Sequence, residues 1–424
     1  MFSDSVVLIL GKFFSSFLGL LAGIILARSL GAANLGQYQI FLSAQTIAIT
    51  LLTFGVGNSS ILFINQDLIE EKEIVSSFLP IFFGIALFCS TCLFIIINSF
   101  NVYFGTLNNF SIICFLIGTG SLIILSVLRP ILYARRKVYQ VSILTTLPTF
   151  VLVIGIVLYE FLGILNVGNV LSIWGLGNFL VLLLSLYFHR SNISFDIKLN
   201  WPNIFKVSQY GIKLSASNLL LVIIANTSVF FIQYFSGKDF DQVGLFSRSI
   251  AISSLALLIP SAVGPLLFSR WSEIRNREIF KLEVEKALRI FTSMSLIIIT
   301  ISIVFSKYII YFLYGKEYLS IQISLIILII SLLFQCMSEV LNNYLASQGK
   351  AILTFYSLVN AFIILLVGNF LLIPQFQING AAIAVLLCAV TNSICLFYYV
   401  NKEININLLN SVLVRRKDLN LKII

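Results

Sequence analysis

The chain has 424 residues, 59% of them hydrophobic and only 10% charged, with a mean hydropathy of +1.03. Soluble domains carry about 25% charged residues, and no water-facing fold hides this much apolar surface, so the bilayer is the solvent. The formal charge of +10, from 27 Lys and Arg against 17 Asp and Glu, on so apolar a chain marks membrane topology and attraction to anionic lipids, not nucleic-acid binding.

A spanning helix needs about 20 apolar residues. In chain order such runs predict spans at about 5–27, 37–64, 76–97, 110–134, 141–163 and 167–188, then at 207–235, 242–268, 286–313, 321–346, 352–373 and 380–400. The first run, "MFSDSVVLILGKFF", has no basic n-region and further spans follow it, so it is expected to be retained. The segment 189–206 is the longest connector and reads as a linker between a lobe at 1–188 and a second at 207–401. Connectors of this size leave no room for an extramembrane catalytic domain. Residues 277–291 read as an amphipathic lead-in to the ninth span. The tail 402–424 has a basic and an apolar face, which suits either a membrane-surface helix or an ordinary frayed end.

Lys and Arg set the orientation. With the N-terminus inside, one side holds Lys72, Arg135, Arg136, Lys137, Arg190, Lys198, Lys206, Arg270, Arg275, Arg277, Lys281, Lys286, Lys350 and the basic tail. The other side holds little beyond Arg28, Lys238 and Lys316. The asymmetry predicts that both termini are cytoplasmic.

All six cysteines (Cys89, Cys92, Cys114, Cys336, Cys388, Cys395) fall inside apolar runs, where thiols behave as small hydrophobes. Cys89 and Cys92 have a redox-like spacing but lie mid-span, with no second pair and no histidines, so no metal or cofactor is expected.

The two halves resemble each other. "LGQYQIFLSAQTIAI" (35–49) aligns with "VGLFSRSIAISSLAL" (243–257), setting Gly36 on Gly244. "LYARRKVYQVSIL" (132–144) aligns with "YLASQGKAILTFY" (344–356), setting Lys137 on Lys350. Six spans per copy give both halves the same orientation, so they are expected to pair about an axis along the membrane normal with a cavity between them.

These segments carry a wider likeness. "ARSLGAANLGQYQIF" (27–41), "GLFSRSIAISSLALLIPSAVGPLLFSRWSE" (244–273) and "YLASQGKAILTFYSLVNAFIILLVGNFLLIPQFQINGAAIA" (344–384) resemble the polysaccharide branch of the multidrug/oligosaccharidyl-lipid/polysaccharide exporter superfamily, the O-antigen flippases. The resemblance implies an all-α membrane protein of about twelve helices in two six-helix lobes forming a V. It also implies carriage of an undecaprenyl-diphosphate-linked oligosaccharide from the cytoplasmic to the periplasmic leaflet of the bacterial inner membrane. The partners implied are that lipid-linked sugar and anionic membrane lipids, with a polysaccharide polymerase and a chain-length regulator as further partners, and no nucleic acid.

A flippase makes no covalent bonds, but it must shelter a diphosphate, and Arg or Lys in a wet cavity suits that anion. Intramembrane charges cost roughly 2.5–3.5 kcal/mol each on insertion scales, which makes each a functional candidate. Lys12 and Lys213 each lie about 10 Å into the first helix of their half; they either reach one headgroup in the cavity or snorkel to the membrane surface. Arg248 stands among Ser247, Ser249, Ser253 and Ser254, a polar setting that points to a cavity face. Arg28 ends the first span, where an interfacial anchor competes with substrate contact. Arg129, followed by Pro130, is read either as a snorkelling residue or as a substrate contact. Glu339, the one acid deep in a span, is open to a salt bridge with Arg129 or Lys213, or to coupling by a proton or sodium. Gln45, Asn58 and Asn226 are further candidates for sugar hydroxyls, with packing as the competing role. Pro148, Pro260, Pro265 and Pro374 mark places where helices are weakened.

Two other functions compete with this reading. A drug or cation antiporter of the same superfamily would need intramembrane carboxylates, and only Glu339 qualifies. A polysaccharide polymerase or glycosyltransferase would need a large loop or an acidic motif; Asp239-x-Asp241 sits on a connector too short to serve as one.

Overall fold

A computed structural model of the chain describes residues 2–190, 200–255, 257, 264, 267, 270, 271 and 277–406. Every described element is helical. The elements are α1 (Phe2–Leu52), α2 (Val56–Asn65), α3 (Glu71–Ser99), α4 (Asn101–Phe104), α5 (Asn109–Ala134), α6 (Val138–Phe161), α7 (Val167–Phe188), α8 (Trp201–Ser236), α9 (Asp241–Leu255) and α10 (Arg277–Tyr314). A 3-10 turn (Lys316–Ile321), α11 (Gln322–Ser347) and α12 (Ala351–Ile404) complete them. Among the described residues nine helices are long and apolar enough to cross a membrane.

Two of the long helices are bent at one residue. α1 breaks its helical backbone at Gly31 (φ 73°), and α12 breaks at Gln377 (φ 50°), three residues after Pro374. Gly31 takes the left-handed φ at no steric cost. The expected connectors of nine residues at 28–36 and six at 374–379 are therefore single-residue kinks. The expected continuous span 37–64 is corrected more sharply. It stops at Leu52, passes through Phe54 and Gly55 with φ of 49° and 64°, and restarts as α2. Helix propagation needs negative φ throughout, so two consecutive positive values end one helix and begin another inside an apolar run.

The chain divides into two compact units, residues 1–222 with 237–244, and residues 223–236 with 245–424. In lipid the hydrophobic effect does not drive helices together, so close packing of small residues does the work. The first unit is built around α5, whose residues from Ser111 to Leu132 are mostly buried. α5 meets α7 where Gly118 and Gly175 bring the backbones together: a methyl on Gly175 would overlap the Cys114 carbonyl. Phe41 of α1 packs edge-on against Phe104 and Phe115, with centroids 5.2 and 5.3 Å away. The N-terminal part of α1 rests on α6, where Ser15 Oγ donates to the Thr145 carbonyl at 3.2 Å.

The second unit has its core where Trp271, Phe280, Val284, Leu288, Val340 and Val400 are buried together. The stretch 277–291, expected as a lead-in, is the first turns of α10, and its apolar face is part of this core. Glu285 and Arg289 lie 3.9 Å apart and are both buried. Lys350 at the α11–α12 turn pairs with Glu403 at 2.8 Å, and Tyr344 Oη donates to the same carboxylate at 3.2 Å. Pro260 and Pro265 and the tail beyond 406 lie outside the described residues.

Candidate functional site

Asn200 immediately precedes α8, and the side-chain amides of Asn200 and Asn203 both donate to Glu73 Oε1, at 2.8 and 2.7 Å. This ties the start of α8 to the first turn of α3. Lys206 stands 5.7 Å above the Phe63 ring, which is itself edge-on to Tyr210 at 6.0 Å. Farther along α8, Gly211 and Ser215 lie against the Phe54–Gly55 break. Lys213 is two residues from each, about 200° round a helix of 3.6 residues per turn. It is exposed and points away from the break.

Lys12 is also exposed and shares its surface of α1 with the exposed rings of Phe13, Phe14 and Phe17. Arg28 is exposed, three residues before the Gly31 kink.

Arg129 is the strongest departure from a solvated cation. It is the one charged residue of α5, and its Nε and Nη2 are buried with no hydrogen-bond partner. Beside it the start of α2 presses on α5: Gly57 sits against the Ser126 carbonyl and the Pro130 ring. Pro130 has no N–H, so the Ser126 carbonyl lacks its helical donor. Only a residue without a side chain fits over it.

In the second unit Arg248 is buried on α9. Its guanidinium carbon is 5.8 Å from the centroid of the Tyr314 ring, and its Nε donates to Ser247 Oγ at 3.4 Å. The neighbouring serines have partners within the unit: Ser249 Oγ meets Ser324 Oγ of α11 at 2.9 Å, and Ser253 Oγ donates to the Ile250 carbonyl. Glu339 is half-buried, and its Oε1 accepts from Asn343 Nδ2 at 3.2 Å. Gly264 faces the same carboxylate oxygen. Glu339 belongs to the second unit, whereas Arg129 and Lys213 belong to the first. Nearby on α11, Ser338 Oγ and Asn342 Oδ1 are buried without partners.

Gln45 is buried with its Oε1 unpartnered, whereas Asn58 is exposed. Asn226 has a partner, and Ser228 beside it donates to Asn369 Oδ1 at 3.1 Å. The six cysteines are free thiols, and the described residues hold no group of three or more His, Cys, Asp or Glu suited to a metal.

His189, the first residue of the expected 189–206 linker, caps α7 and is fully buried. Its Nδ1 lies 2.8 Å from the Ser185 carbonyl, and its Nε2 has no hydrogen-bond partner. Burial holds its pKa below the ordinary histidine value, with the Ser185 carbonyl and Glu71 opposing and Lys137 assisting. Glu71 is in turn paired with Arg135 at 2.8 Å.

The family model described as "Polysaccharide biosynthesis protein" matches residues 2–268. A Shigella flexneri protein provisionally named an O-antigen transporter is 21% identical over 205 residues, which are 48% of this chain and 49% of that one. The chain thus spans about half the length of the curated relative it matches. Among solved structures, the lipid II flippase MurJ in an inward closed conformation superposes with a TM-score of 0.71 at 17% identity, covering 93% of this chain and 87% of that one. An inward-facing multidrug resistance MATE family transporter of the MOP superfamily gives 0.74 at 15% identity, covering 92% and 94%. The fold is therefore that of the MOP superfamily transporters. The relatives are transporters and flippases, not enzymes.

Proposed function

Because the chain belongs to the polysaccharide biosynthesis protein family, we propose that it is a flippase for undecaprenyl-diphosphate-linked oligosaccharide repeat units of an O-antigen or similar surface polysaccharide. It moves them from the cytoplasmic to the periplasmic leaflet of the bacterial inner membrane by alternating access. The observation that carries this reading is the family match over residues 2–268, reinforced by a relative named for O-antigen transport. The candidate residues are mostly basic, Lys12, Arg28, Arg129, Lys213 and Arg248 beside the acid Glu339, which suits an anionic cargo.

In this reading twelve crossings form two six-helix lobes around a V-shaped cavity, with both termini cytoplasmic. Nine candidate helices supply the count once α1 and α12 are each taken as two crossings bent at Gly31 and Gln377, and the run 242–268 adds the twelfth. Arg248, Lys213, Lys12, Arg129 and Arg28 make up the basic path for diphosphate and glycan, and Glu339 carries the coupling ion. Anionic lipids meet the basic face, and a polymerase with its chain-length regulator receives the delivered unit.

The test is complementation of flippase-null strains that make different repeat units, scored by surface polysaccharide. Restoration in at least one strain is expected. Failure in all of them at normal expression, together with acquired drug resistance, would replace this reading with a multidrug antiporter, the reading favoured by the likeness to MATE transporters.

A further inference from the structure

α3 and α7 flank α5 in the first unit, and the three helices leave a groove of about 340 Å³ on their outer side. Its floor is made of small residues. Ala86 and Ser90 of α3 face Gly120 of α5, with Ser121 beside it, and a methyl on Gly120 would stand 3.4 Å from that of Ala86. Around the floor rise Phe83 and Leu87 of α3, Ile113 and Ile117 of α5 and Phe179 of α7, all of them exposed.

The lining asks for no polar partner from its two serines. Ser90 Oγ donates to the Leu116 carbonyl at 3.3 Å, and Ser121 Oγ donates to the Ile117 carbonyl at 2.8 Å. The charges of α3 are confined to its first turn, α7 has none, and Arg129 of α5 comes five residues after Ile124, where the α5 lining ends. What fits here is hydrocarbon and not a headgroup.

The three helices are each long and apolar enough to cross a membrane, so the exposed rim meets lipid. The groove is therefore a recess in the boundary between protein and bilayer, continuous with the lipid-facing surface. A recess left without atoms forfeits the dispersion contacts of its walls, and in lipid such packing is what holds helices together. A helix of a second copy, about 10–12 Å across with its side chains, is too broad to reach the floor, whereas a single hydrocarbon chain is not. From Ile113 to Ile124 the α5 lining rises about 16 Å, about half of the roughly 30 Å of bilayer hydrocarbon. A chain from one leaflet spans it.

We infer that this groove is a binding site for one acyl chain of a bilayer phospholipid, held as a wedge between α3, α5 and α7. Phospholipid outnumbers every cargo lipid in a membrane, so mass action fills the groove with it. The site goes beyond the flippase reading and does not depend on it, since none of its residues belongs to the basic path.

The test uses the purified full-length protein, stripped of lipid in detergent and titrated with dioleoyl phosphatidylcholine. Bound lipid is counted by native mass spectrometry, and the melting temperature is followed in parallel. The wild type is expected to retain one more phospholipid per chain than Gly120→Leu, whose side chain occupies the floor. Lipid should raise the melting temperature of the wild type, and that of Gly120→Leu at least about five-fold less. Leu87→Ala combined with Ile117→Ala lowers the rim without filling the floor, and should need at least about five-fold more lipid for the same occupancy. This second variant decides the matter if Gly120→Leu does not fold.

Equal retention in the wild type and a folded Gly120→Leu overturns the site, as does unchanged occupancy in the rim variant. A stripped wild type whose melting temperature ignores phosphatidylcholine overturns it as well. Preference for undecaprenol over phosphatidylcholine at equal concentration overturns the acyl-chain assignment. Dimers that dissociate in Gly120→Leu with no loss of lipid overturn it in favour of a second copy of the chain.

Discussion

Gly36 and Gly244, equivalent positions in the two halves of the sequence, lie directly against each other. A methyl group on Gly36 would overlap the Phe240 carbonyl, and one on Gly244 would overlap the carbonyl of Ala32. A position that meets its own copy must be small in both, because any added volume is added on each side of one contact. Gly36→Val and Gly244→Val should each destabilise the protein by about 1–3 kcal/mol through overpacking. Gly19→Ala, where nothing lies within 4 Å, should leave the melting temperature unchanged. Equal melting of all three variants would contradict the contact.

Removing Glu73 should loosen the start of α8. Two amides converge on one carboxylate oxygen there, but Asn200 is exposed, so the net effect on stability should be modest, about 1 kcal/mol. The sharper readout is local. Hydrogen exchange of the first turns of α8 should accelerate in Glu73→Ala, while that of α7 stays as it was. Unaltered exchange at residues 201–206 would show that the clamp is inert.

His189 gives a pH dependence with a definite sign. Its pKa is depressed in the fold by burial, so the unfolded chain takes up a proton before the folded one does. The stability tied to the neutral imidazole is therefore complete above the ordinary histidine pKa of about 6.5 and is lost as pH falls below it. The groups that face the ring are the Ser185 and Leu128 carbonyls, Glu71 and Lys137. Between pH 7.5 and 5.5 the wild type should lose melting temperature faster than His189→Gln. Parallel curves for the two proteins would rule out His189 as the source.

Arg248 and Lys213 should separate structure from transport. Lys213 is exposed, so Lys213→Ala should keep the melting temperature and reduce surface polysaccharide. Arg248 is buried over the Tyr314 ring, so Arg248→Ala should lose both. Tyr314→Phe keeps the ring and should be mild, whereas Tyr314→Leu removes a cation–π contact worth about 0.5–2 kcal/mol. Normal polysaccharide in Lys213→Ala and Arg248→Ala at normal protein levels would remove both from the proposed path.

Hydropathy located the helices well where the chain is uninterrupted: the run 167–188 is α7, and 110–134 begins one residue inside α5. It did not locate the break at Phe54–Gly55, because a run of apolar residues looks the same whether its backbone is helical or has turned to positive φ. Gly55 and Gly57 are the available signal: each sits where another helix comes close, and Gly55 also takes the left-handed φ of 64°. The 277–291 stretch looked amphipathic, yet its Glu285 and Arg289 are buried, since a charge pattern along one helix does not reveal which faces other helices cover. The charged candidates were visible as residue types. What distinguishes Arg129 from Lys213 is the burial of two nitrogen atoms, and that depends on packing from distant parts of the chain.

α10 has 38 residues, about 57 Å at 1.5 Å per residue, nearly twice the roughly 30 Å of bilayer hydrocarbon. It is a stiff strut anchored near one end by Phe280 in a well-packed core and carrying Tyr314, the ring under Arg248, at the other. The two ends are mechanically joined. A substitution at Phe280 can tilt the platform on which Arg248 rests without touching either residue, so loss of transport at one end of the rod is no proof that the residue changed meets the cargo.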